Sequence, residues 1–277
     1  MVHNEHWVNI RIIHTKDNEK TLMSHQIRWT SNKIRQRLET ILPYVYRQCE
    51  PLSPFRYLDL PDASTMPTDI EARPDSDWSL IEPYTYWAKP KTNFILQAQF
   101  QIAPDWDVTE PVALWLPLGE AGSFSHPEAL LYLDGKPFAA TDRHHHEVQL
   151  PESVFDGEPH QLILHGWSGN VNRDGENGRV LMRPCEIVQI CVHTRAFTTL
   201  ARTALEVADH HDVNSVVKGK LLDALDAAFV ALDTREPVGD AFYASVAQAT
   251  AVLRQGIETA GPAMDVSISA AGHAHID

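Results

Sequence analysis

The sequence has few cysteines, few basic residues and no long apolar run, and each shortage removes a class of function. Three cysteines, Cys49, Cys185 and Cys191, are an odd number without a CxxC spacing, which argues against both a disulfide framework and a thiolate zinc site. If Cys185 and Cys191 share one strand they stand roughly 20 Å apart, too far to bridge. No stretch of 18 apolar residues occurs, so no membrane-spanning helix is expected. The opening residues lack a basic segment followed by an apolar one, and no Asn-x-Ser/Thr acceptor is present, so the sequence reads as cytoplasmic. Only 23 Lys and Arg stand against 37 Asp and Glu, a formal net charge of −14. Such a surface repels a phosphate backbone, so nucleic acid is not an expected partner.

What is present is a globular composition, 43% hydrophobic and 22% charged over 277 residues, enough for one large domain or two modest ones. Residues 1–50 read as a strand on Val8, Ile10 and Ile12, then a helix on Ile34, Leu38, Ile41, Leu42 and Val45 that Pro43 kinks or stops. Residues 51–195 read as a β-sandwich introduced by an irregular wrap. Its prolines from Pro51 to Pro90 permit no long helix, and Phe55, Tyr57, Trp78, Tyr84, Tyr86 and Trp87 are expected to need burial. Strands are expected at 93–102, 112–118, 129–133, 136–138, 146–150, 160–167 and 185–191, with Asp134-Gly135 as a hairpin turn. Residues 196–262 carry three helical stripes, the second after an Asn214 cap and the third after Gly239-Asp240, ended by Gly261-Pro262. The expected fold is therefore mainly β plus α: a helix, a β-sandwich, a three-helix connector, and a final strand over 263–277.

That final strand holds the chemistry. Val266, Ile268 and Ala270 alternate, Gly272 follows, and His273, His275 and Asp277 fall at every second position, so an extended segment presents all three on one face. Imidazole and carboxylate are zinc donors. On spacing alone, a metal site and a polar surface terminus are equally good readings.

The hexapeptide Gly272-His273-Ala274-His275-Ile276-Asp277 at a strand end resembles the opening of the catalytic barrel in family 38 α-mannosidases of the cytosolic and vacuolar type. Pro54-Phe55-Arg56-Tyr57 resembles that branch's proline-rich segment after its first helix. Leu131–Pro137 and Asp142–Val148 resemble its N-terminal sandwich. The resemblance covers nearly the whole chain and is most specific in the hexapeptide. It implies hydrolysis of terminal α-linked mannose with retention of configuration. It further implies a divalent metal, zinc by its donors, held by His275 and Asp277, and α-mannoside oligosaccharides as partners. His273 matches the motif without being a ligand. The family's nucleophile, its acid/base carboxylate and its other ligands belong to barrel sequence after Asp277, so the chain alone is expected to be inactive and the barrel truncated. A homo-oligomer is compatible with the sequence.

Two other readings compete. A metal-dependent amidohydrolase barrel also opens with His-x-His, which makes His273 and His275 the ligands and not Asp277. A non-catalytic carbohydrate-binding or structural β-sandwich needs no metal; an exposed row of tryptophans favours sugar binding, and burial of all of them a brace. Trp87, Trp106, Trp115 and Trp167 are the candidate stacking faces, though most of the seven tryptophans read as core. Asp142-Arg143-His144-His145-His146 reads as a strand edge rather than a metal tract. Asn170–Gly175 begins like a calcium loop but has Leu181 at its twelfth position. Gly166-Trp167-Ser168-Gly169 fails the GxSxG pattern at Asn170.

Overall fold

A computed structural model describes residues 30–61, 70–107, 109–119, 126–169, 179–235 and 239–262. The chain mixes α-helices with antiparallel β-sheets. The expected strand at Val8–Ile12 and the segment 263–277 lie outside the described residues.

Helix α1 spans Thr30–Ile41 and buries Ile34, Leu38 and Ile41, a spacing that puts all three on one stripe. It stops where the sequence requires. Pro43 cannot donate to the helical ladder, and the chain tightens into a 3₁₀ turn over Leu42–Val45 before extending.

Ten strands follow among the described residues: β1 (Tyr46–Pro51), β2 (Phe55–Leu60), β3 (Ser79–Ile81), β4 (Asn93–Phe100), β5 (Val112–Trp115), β6 (Glu128–Leu133), β7 (Lys136–Thr141), β8 (Glu147–Gln149), β9 (His160–Trp167) and β10 (Glu186–Ile190). They form a four-stranded sheet in the order β1-β10-β5-β8 and a six-stranded sheet in the order β3-β2-β4-β9-β6-β7. One apolar cluster draws on both. Phe94, Leu96, Leu131, Leu162 and Leu164 come from the larger sheet; Val112, Leu114, Val148 and Ile187 come from the smaller. The β6–β7 hairpin turns on Asp134 (φ 49°) and Gly135 (φ 75°), the left-handed pair that a two-residue hairpin demands.

Helices α2 (Val192–His210), α3 (Val216–Ala231) and α4 (Asp240–Ala260) complete the described fold. The buried face of α1 joins theirs in a second cluster that includes Phe197, Leu225, Phe242 and Leu253. Where α3 and α4 cross, a Cβ on Gly256 would overlap that of Ala224, so the glycine sets the helix separation. Helix α4 ends at Gly261 (φ 81°) followed by Pro262, as a glycine C-terminal stop does.

Three expectations need correction. The stretch 51–90 is not wholly irregular: it contains β2 and β3, and Pro51 closes β1. Proline is tolerated there because β1 is an edge strand, and Pro54 and Pro61 stand just outside β2. Nor are all its aromatics buried. Phe55 and Trp87 are, with the Trp87 indole N–H donating to the Leu118 carbonyl at 2.9 Å, whereas Tyr84 is 66% exposed on a left-handed turn residue and Tyr86 is also exposed. The cap of α3 is Ser215, whose hydroxyl accepts from the Lys218 N–H at 3.4 Å, and not Asn214.

One side-chain cluster ties helix to sheet. Arg195 of α2 donates to both Glu147 oxygens of β8 at 2.7 and 2.5 Å, and the Tyr46 hydroxyl of β1 donates to the same carboxylate at 2.8 Å. The guanidinium and the phenol hold Glu147 below its ordinary range against the opposing effect of burial. Arg195→Met should cost about 1–2 kcal/mol, the cost of a half-buried carboxylate losing its charged partner after allowance for solvent. A denaturant midpoint unchanged from the parent protein would contradict this.

Candidate functional site

His273, His275 and Asp277 lie outside the described residues. Among the described residues, no group of three or more His, Cys, Asp or Glu side chains is placed to hold a metal ion. The calcium-loop look-alike Asn170–Gly175 also lies outside them.

The histidine tract is a turn between β7 and β8 rather than a strand edge. One oxygen of Asp142 accepts from the backbone N–H groups of His144 (2.6 Å) and His145 (2.9 Å) and meets the His145 ring Nδ1 at 2.9 Å. Burial works against ionisation, but these hydrogen bonds outweigh it and hold the Asp142 carboxyl at about 2. The tract is an Asx turn, the ordinary use of aspartate at a chain reversal. Ser168 is equally structural: it is buried, donates to the Lys89 carbonyl at 2.6 Å and accepts from the Thr92 N–H at 3.0 Å, so no nucleophile stands there. All three cysteines are free thiols, and burial pushes Cys185 up to about 12, which keeps it protonated and unreactive.

A histidine that the sequence did not single out is more tightly held than any of these. His160, 8% exposed at the start of β9, meets Asp134 Oδ2 through Nδ1 at 2.8 Å and Asp156 Oδ1 through Nε2 at 3.0 Å. Two carboxylates on two ring nitrogens require both to be donors, hence the imidazolium. Burial alone would lower the pKa, but the two hydrogen bonds and the two negative charges raise it above the ordinary histidine value. The raised pKa means that this stabilisation is complete below about 6.5, the unfolded value, and is lost as pH rises through the higher folded value. The stability difference between the parent protein and His160→Gln should therefore shrink from pH 6 towards pH 9. A difference that stays constant across that range would show that His160 is not held charged.

An open concave feature lies on the outer face of the six-stranded sheet. Alternation along β6 sends Ala129, Leu131 and Leu133 into the core and leaves Glu128 and Leu130 outside. In β9, Leu162 and Leu164 face inward, so His165 and Trp167 face out. Register brings the outward residues together: Glu128 pairs with Trp167, Leu130 with His165, and Leu130 on its other side with Ala140 of β7. These residues, with Asp142 and Thr141, line an open cleft of about 370 Å³. Beside it the same face is covered, because Ile70 and Trp78 pack over Leu58, Ile95 and Ile163.

Within the cleft Trp167 is 36% and Leu130 41% exposed. The His165 Nε2 is closed off from solvent and has no hydrogen-bond partner in the protein, and burial lowers its pKa, so the ring is neutral near pH 7. Glu128 reaches His126 Nε2 at 3.3 Å and is otherwise largely exposed. Of the tryptophans considered as stacking faces, Trp87 and Trp106 are buried, Trp115 is half-buried with its ring 5.7 Å from that of Tyr46, and Trp167 is open. There is no exposed tryptophan row among the described residues, and the described tryptophans are not all buried either. Sequence reasoning missed Glu128, Leu130 and His165; the signal was Leu130 and Trp167 on the outward phase of otherwise alternating strands.

No protein-family model and no curated protein matches the chain. Solved structures similar to part of it include the apo form of a β-glucuronidase from Ruminococcus gnavus, at 12% identity and a TM-score of 0.35 over 52% of this chain and 29% of that one. The same enzyme with D-glucuronic acid gives 13% identity and a TM-score of 0.33 over 52% of this chain and 30% of that one. The chain thus spans less than a third of the length of these glycosidases.

Proposed function

We propose that this chain is the N-terminal part of a metal-dependent, retaining α-mannosidase resembling family 38, acting on terminal α-linked mannose in oligosaccharides. The observation that carries the reading is the hexapeptide Gly272–Asp277, preceded by the alternating Val266, Ile268 and Ala270. Its placement in the chain supports it, since α4 stops at Ala260 and the motif segment begins within a few residues of that stop. The two-sheet core and the helices then form an N-terminal support to which the barrel attaches.

The donor chemistry fits a borderline divalent cation such as zinc. Neutral imidazole and carboxylate are its ligands, and the i, i+2 spacing of His275 and Asp277 lets both reach one ion from an extended strand. Two donors leave the coordination shell half filled, so the remaining ligands come from the barrel. When bound, the metal supplies positive charge that holds sugar hydroxyls and fixes the substrate. Retention needs two further carboxyl groups about 5–5.5 Å apart, one as nucleophile and one as acid/base. Within this reading neither is assigned to residues 1–277, and this chain's own role is to position two ligands at the end of the first barrel strand. Gly272 allows close approach of the substrate to the backbone there.

The coding sequence after Asp277 tests this directly. A tryptophan-rich continuation supports the mannosidase. A continuation with the further histidine and aspartate ligands of an amidohydrolase, and no tryptophan-rich stretch, would overturn it.

A further inference from the structure

We propose that the exposed face of α3 pairs with the same face of a second copy of this chain, the two helices antiparallel about a two-fold axis. The face lies outside the motif segment, and the proposal stands independently of the catalytic reading.

A helix on the outside of a globular core ordinarily turns polar residues outward. Helix α3 departs from this. Its inner side buries Leu221, Leu222, Ala224, Leu225, Ala228 and Phe229. Its outer stripe nevertheless carries Val216, Lys220, Asp223, Ala227 and Val230, all exposed. Val216 and Val230 are 72% and 71% exposed, and Val213, in the turn before the Ser215 cap, is 80% exposed. These three are the most exposed large hydrophobic side chains among the described residues. From Val216 the stripe advances in alternate steps of four and three residues. That is the heptad spacing by which one helix meets another along its length.

The order of side chains along the stripe selects the occupant. In antiparallel pairing about an axis level with Leu221 and Leu222, Lys220 faces Asp223 of the other copy and Val216 faces Ala227, each contact occurring twice. Val230 then reaches the other copy's turn, where Val213 stands. Parallel pairing would instead set lysine against lysine and aspartate against aspartate, so charge fixes the antiparallel arrangement. Both charged groups can make the new contact beside those they already have. Lys220 donates to the Thr259 carbonyl at 3.3 Å, and its ammonium has further donors. Asp223 interacts within its own chain, and an ionised carboxylate accepts several hydrogen bonds. With one charge of each sign the stripe is neutral, which lets two chains of net charge −14 approach at this face. An unrelated partner would not require a stripe that is its own complement.

The test is analytical ultracentrifugation of the 277-residue chain from ~1 to ~200 µM. The parent chain should associate reversibly to a dimer with a Kd of about 1–100 µM, as suits a small interface. Val216→Glu and Val230→Glu should each weaken association by about tenfold or more. Lys220→Asp and Asp223→Lys should each do the same, because either change leaves only like charges face to face. An equimolar mixture of those two charge variants should associate within about threefold of the parent, since each supplies the charge that the other lacks. An unchanged helical circular dichroism spectrum in each variant separates lost contact from lost fold. The two valines are exposed, so their variants decide the matter if a charge variant fails to fold. Three results would overturn the proposal: a chain that stays monomeric at ~200 µM, a dimer that every one of these substitutions leaves as strong as the parent, or folded charge variants that remain monomeric when mixed.

Discussion

Gly166→Ala is expected to lower the stability of the two-sheet core by about 3 kcal/mol, at the upper end of what an extra methyl costs in a packed interior. Gly166 sits in β9 with Phe94 of β4 on one side and Ala129 of β6 on the other. A Cβ there would overlap the Glu128 carbonyl oxygen and lie 2.7 Å from Phe94 Cζ and 2.8 Å from Ala129 Cβ. The carbonyl belongs to a neighbouring strand and cannot swing aside, and the Phe94 ring is fully buried. Relief therefore requires the strands themselves to separate. Gly219 is the control. It lies in α3 with nothing within 4 Å of the point where an alanine methyl would sit, so Gly219→Ala should stabilise by about 0.5–1 kcal/mol through the higher helix propensity of alanine. Denaturant unfolding of both variants checks the pair. A Gly166→Ala protein as stable as the parent would mean that β9 does not run between β4 and β6 as described.

The same strand shows what the sequence made legible. The short strand-like run at 160–167, set off by loop residues on either side, identifies β9 with its bounds, and Asp134-Gly135 identifies the hairpin beside it, because both signals are local. The third helical stripe is legible for a similar reason: Gly239-Asp240 and Gly261-Pro262 mark the ends of α4 in adjacent residues. β1 and β2 were hidden by their prolines, whose effect depends on which strand is an edge, a property of the finished sheet. The exposure of Tyr84 and Tyr86 was hidden likewise. Composition says that an aromatic gains from burial but not whether the chain around it supplies a partner.

The cleft was less legible than the fold. Glu128 and Trp167 are 39 positions apart in sequence and become neighbours only through the β6–β9 register. His160 is a comparable case, since its two carboxylates arrive from a hairpin turn and from the loop before β9. Neither spacing forms a motif. The hexapeptide at 272–277 is the opposite case, since its resemblance is carried by six consecutive residues.

The second large effect concerns that hexapeptide. A metal held by His275 and Asp277 should make turnover depend on both, since loss of either donor unseats the ion that positions the sugar, and preorganised charge supplies much of a glycosidase's barrier reduction. His275→Ala and Asp277→Ala should each lower kcat/KM by about a thousandfold or more, equivalent to about 4 kcal/mol of transition-state stabilisation. His273→Ala should have a smaller effect, because the proposed reading gives His273 a place in the motif but no ligand role; an equal loss at His273 with none at Asp277 would point to the amidohydrolase arrangement. The decisive measurement is hydrolysis of an aryl α-mannoside by this chain joined to the catalytic domain that the proposed function calls for, with zinc, with cobalt and with chelator, beside the 277-residue chain. The expected result is metal-dependent turnover by the extended protein, abolished by chelator and by either ligand substitution, and none by the shorter chain. Turnover by the 277-residue chain that survives repurification, or an extended protein indifferent to chelator and to both substitutions, would contradict it.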